Sequence, residues 1–174
     1  AEMRALAARH HELAPLYAVK RLFVQRKAMN AHKADVAAGF DGPALRRELE
    51  QAIGGPVTGT DGELAFAQAV TRWQQDETAH AAPLELALRY AAWAAHTPAG
   101  RAAHRAGVLF RAPRKLDYMR LVPLEQTTVH GVHAWKLAGD HVRRREGFAL
   151  TDAGMDLTAA LDQSHYCIWC HEQG

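Results

Sequence analysis

The sequence predicts an all-α fold, a helical bundle of about five to seven helices, and three observations carry that expectation. Alanine-rich stretches with apolar residues three and four positions apart dominate the first hundred residues. Period-two alternation, the mark of a half-buried strand, is hard to find anywhere. Helix starts and stops are written in prolines and glycines, as in Asp41-Gly-Pro43 and Gly54-Gly55-Pro56. With 174 residues, 48% of them hydrophobic, the chain is long enough for one well-buried core.

Taken in order, Pro15 suits the first turn of a helix, so His10 and His11 fall in a frayed or exposed start. Leu16, Val19 and Phe23 then share one face, with Lys20, Arg21, Arg26 and Lys27 toward solvent. Asp41 caps the next helix, and Gly54-Gly55-Pro56 stops it. Residues 57–62 form a loop. Thr60 and Glu63 have the spacing of a capping box and open a third helix that buries Phe66, Val70 and Trp73. Pro83 separates it from a fourth. There, Leu84, Leu88, Ala91 and Ala95 form one stripe and Leu86, Tyr90 and Trp93 another, which makes this helix the centre of the core. Thr97-Pro98 starts a short helix ending near Gly107. Between 108 and 150, Pro113, Pro123, Gly131, Gly139 and Gly147 interrupt any long helix, predicting an irregular segment wrapped over the bundle with a short helix at 134–145. A last short helix, 155–161, capped by Asp156 or Thr151, leads to Cys167. The expected organisation is a helical domain at 1–155 and a cysteine-rich segment beginning at 156–174.

Formal charge is +2, and 23% of residues are charged. Residues 35–85 hold nine Asp and Glu against three Lys and Arg, while 101–120 hold six Lys and Arg against Asp117. The basic residues are scattered rather than interleaved with exposed aromatics, so no nucleic-acid surface is expected. No apolar run approaches the roughly 20 residues that span a bilayer, and no secretory signal pattern opens the chain; a cytoplasmic protein without membrane insertion is the expectation.

The chemistry concentrates at the end of the chain, in Cys167-Ile-Trp-Cys170-His171. Two cysteines three positions apart turn both sulfurs to one side and expose backbone N–H groups that stabilise thiolates, which suits a soft metal. Several readings of the pair stand side by side. A c-type haem uses C-x-x-C-H, but only Glu172-Gln173-Gly174 follow His171. A zinc site can combine Cys167 and Cys170 with His165 or His171 and a fourth ligand such as His130 or His133. An iron–sulfur cluster generally takes four thiolates, so this pair supplies half. A cofactor-free helical interaction module leaves the two thiols incidental, a reduced pair beside Tyr166 and Trp169, with the basic 101–120 stretch meeting an acidic partner.

Other sites are weaker. Arg143-Arg-Arg145 reads as a solvated charge run, and Asp76-Glu77 with His80 as exposed helix decoration. Trp73, Trp93 and Trp135 read as core residues.

The stretch RRREGFALTDAGMDLTAALDQSHYCIWCHEQG, with LVPLEQTTVHGV before it, resembles the N-terminal part of large bacterial FAD-dependent pyridine-nucleotide oxidoreductases related to the small subunit of glutamate synthase. The likeness covers roughly residues 121–174. It implies a helical region leading into an iron–sulfur segment, then flavin- and NAD(P)H-binding domains. By that resemblance Cys167 and Cys170 are cluster ligands, His171 is only a neighbour, and the remaining cysteines and the G-x-G-x-x-G fingerprint lie beyond this sequence. The partner is then the remainder of the parent polypeptide, and this chain alone is not catalytic.

Overall fold

A computed structural model of the chain describes residues 2–113, 118–119, 121–139, 142, 147–148 and 154–168, with side chains in the last of these as far as Ser164. The chain divides into two units, Ala1–Ala112 with Met155–Gly174, and Pro113–Gly154.

The first unit is helical. Helix α1 spans Glu2–Val19, so Pro15 lies deep inside it rather than in its first turn. From Lys20 to Ala28 the chain continues as a π-helix, and Met29–Ala31 closes it as the short α2. Lys20 follows Leu13, Leu16 and Tyr17 at helical spacing, so it lies on the same face as these buried residues. Phe23 and Val24 remain in the core, but Lys20 is buried at 4% exposure instead of facing solvent; Arg26 and Lys27 are exposed as expected.

After α3 (Ala34–Ala38), α4 spans Gly42–Ile53 as its caps dictate: the Asp41 carboxylate accepts the Ala44 N–H, and Gly54 leaves the helix in the left-handed region at φ 84°. Helix α5 (Gly59–Trp73) starts one residue before Thr60, with Thr58 as its N-cap. The expected Thr60–Glu63 capping box is therefore absent, and Glu63 is fully buried. Phe66, Val70 and Trp73 are buried as expected.

Helix α6 (Ala81–His96) carries Pro83 in its first turn and is the centre of the core, with Leu84, Ala87 and every residue from Tyr90 to Ala95 buried. It packs on α3, α4, α5, the π-helix and α7. Around Phe66 the rings of Phe23, Tyr90 and Phe110 gather with centroids 6.3, 6.4 and 5.2 Å away. The Thr97 hydroxyl caps α7 (Pro98–Ala103) by accepting the Gly100 N–H. Gly100 is obligatory for a steric reason: a Cβ there would run into the backbone of Trp93 and Ala94. Helix α8, Leu157–Ile168, is capped by Asp156, whose carboxylate accepts the Ala159 N–H at 2.7 Å, and it packs on α1.

The second unit corrects the all-α expectation. Strands β1 (Leu124–Val129) and β2 (Val132–Leu137) form an antiparallel hairpin, with Val129 opposite Val132 and Leu124 opposite Leu137. The connecting His130-Gly131 has φ of 50° and 81°, the paired positive values of a two-residue hairpin turn. A helix at 134–145 is excluded over 134–137, which is strand. Trp135, expected in the core, is 65% exposed.

Candidate functional site

Cys167 and His165 occupy the last turn of α8, by backbone position; Cys170 and His171 lie outside the described residues, as do Arg143–Arg145. What the structure does describe is how α8 is held. Among its described side chains, the core-facing positions include Thr158, Leu161 and Asp162. Leu161 packs against the hydrophobic core without being fully covered. Tyr17 on α1 donates its hydroxyl hydrogen to the Thr158 carbonyl at 3.0 Å. Lys20 grips Asp162 with Nζ at 2.6 and 2.8 Å from the two carboxylate oxygens, and both side chains are about 5% exposed.

That pair is the electrostatic centre of the α8 joint. Burial pushes the Lys20 ammonium down from its ordinary pKa, and hydrogen bonding to Asp162 opposes the shift. Arg111 lowers it further, while Glu63 supports the charge. Burial pushes the Tyr17 phenol up to about 12, with the Asp162 and Asp156 carboxylates adding to it. Neither Lys20 nor Asp162 stands out in sequence: each sits in a stretch where a charged residue reads as solvent-facing, although Lys20 shares the helical face of the buried Leu13, Leu16 and Tyr17.

A second buried network was also missed. Glu63 Oε2 accepts the backbone N–H groups of Val108 and Leu109, each at 2.8 Å, and Oε1 lies 3.0 Å from His104 Nδ1. Since an ionised carboxylate only accepts, Nδ1 carries a proton and donates; in the neutral ring Nε2 then accepts the hydrogen of the Tyr90 hydroxyl, 2.8 Å away. Gly107 sits so close that a Cβ there would overlap the Glu63 carboxylate. A hydroxyl, an imidazole and a carboxylate in series have the connectivity of a nucleophile relay. Burial removes that use: Tyr90 and Glu63 are at 0% exposure, so no substrate reaches the hydroxyl. The chain instead fastens the 104–110 segment to α5 and α6. Only the chemical type of Glu63 and its capping-box spacing marked it in sequence, and that spacing misled.

The remaining sequence candidates separate. His130 is in the hairpin turn and His133 is on β2 opposite Thr128. Asp76 accepts the Ala79 N–H, Glu77 pairs with Lys27 at 3.0 Å, and His80 Nδ1 meets the Asp76 carbonyl, all at the surface; the group is exposed as expected but decorates the turn between α5 and α6 rather than an α-helix. Among the described residues, no group of three or more His, Cys, Asp or Glu gathers as a metal site, and no helix is long and apolar enough to cross a membrane.

No protein-family model matches the chain, and no solved structure matches it. It is similar to an uncharacterized protein of Rickettsia prowazekii, 27% identical over 172 residues, covering 95% of this chain and 54% of that protein. The chain thus spans about half the length of the relative it matches.

Proposed function

We propose that this chain is the non-catalytic N-terminal helical part of a larger cytoplasmic flavin- and iron–sulfur-containing NAD(P)H-dependent oxidoreductase. In this proposal Cys167 and Cys170 are the first two thiolate ligands of a cluster whose other ligands lie beyond Gly174. The donor set fits: two thiols at C-x-x-C spacing are half of the usual four-thiolate complement. The observation that carries the proposal is the anchoring of α8. A capped helix, joined to α1 by a tyrosine hydrogen bond and to the first residue of the π-helix by a buried ion pair, has Cys167 in its last turn by backbone position. The greater length of the Rickettsia relative, of which the match covers 54%, is compatible with further domains.

A bound cluster would carry single electrons between the flavin of the parent protein and its acceptor. This chain's own residues would do three things. Backbone N–H groups near the two cysteines would stabilise thiolate charge. Lys20 and Asp162 would hold the helix that presents the first thiol. The aromatic core around Phe66 would provide a rigid body behind it.

The test is chemical analysis of the polypeptide extended past Gly174 by its native sequence and purified without oxygen. Stoichiometric iron and acid-labile sulfide, both lost in Cys167→Ala and Cys170→Ala, are expected. An extended protein with neither iron nor sulfide would refute the proposal, and stoichiometric zinc or a Soret band in the 174-residue chain would replace it with a self-contained metal site.

A further inference from the structure

We draw no further inference here: the strongest candidate, the face of the β1–β2 hairpin on which Leu124, Trp135 and Leu137 stand exposed, carries nothing because nothing in the structure shows what covers it.

Discussion

Replacing Glu63 by glutamine and by leucine should give two very different results, although both remove the same charge. In the leucine variant the amides of Val108 and Leu109 and the ring N–H of His104 lose their acceptor inside a site at 0% exposure. Each unsatisfied buried donor costs about 1–3 kcal/mol, so a total loss of about 4 kcal/mol is expected, a large part of the roughly 5–15 kcal/mol that holds a domain folded. At about 2–4 °C per kcal/mol for a chain of this size, melting should fall by about 10–15 °C. Glutamine can keep its carbonyl on the two backbone amides and turn its NH2 toward His104. The imidazole then moves its proton from Nδ1 to Nε2, accepts from glutamine, and donates to the Tyr90 oxygen. The groups that faced Glu63 stay paired, and the loss is the charge-assisted part of that bonding together with the acceptor of the Tyr90 hydroxyl hydrogen, about 1–3 kcal/mol in all. Thermal unfolding followed by circular dichroism measures the difference, and nitrogen-15 shifts of His104 report the tautomer. Equal losses in the two variants, or an unchanged tautomer in Glu63→Gln, would refute this hydrogen-bond assignment.

Alkaline pH should unfold the protein through its buried phenols. Tyr17 is pushed up to about 12 and Tyr90 is raised further, both chiefly by burial, while an unfolded tyrosine ionises near 10. Their contribution is complete below pH 10 and is lost from there toward 12 because only the unfolded chain releases the proton. Phenolate absorbance of these two residues should therefore appear together with loss of helical signal; ionisation of all tyrosines near 10 in a folded protein would contradict it. Gly107→Ala should destabilise by about 1–3 kcal/mol through overlap with the Glu63 carboxylate. In a Glu63→Ala background the added loss should shrink in a double-mutant cycle, and strict additivity would show that the carboxylate is not what the new methyl meets.

The helices were readable where local chemistry decides them. Asp41, Gly54, Thr97 and Asp156 act as caps or stops because their side chains or backbone freedom satisfy groups a few residues away. Tyr90, Phe66 and Trp73 were readable as core from helical spacing. At Lys20 the reading went by charge: the position four residues after Leu16 and three before Phe23 is on the buried face, and the carboxylate that lets a lysine occupy it is far away in sequence. Strands β1 and β2 escaped because period two appears only when one face of a hairpin is buried, and here most positions on both faces are exposed. The better signal was local: β-branched Thr127, Thr128 and Val129 before His130-Gly131. The ion pair and the Glu63 network join residues 142 and 41–46 positions apart, respectively, and no periodicity spans that separation. The cysteine motif was legible as a motif, whereas the joint that holds its helix became visible only in three dimensions.

The most direct test of the central claim is an anaerobic titration of the extended, as-purified protein with NADPH and NADH, followed by visible absorption and paramagnetic resonance. The proposal predicts bleaching of a flavin band and the appearance of a reduced iron–sulfur signal that Cys167→Ala abolishes. A protein with no flavin band and no cluster signal, or a signal that survives loss of both Cys167 and Cys170, would contradict it.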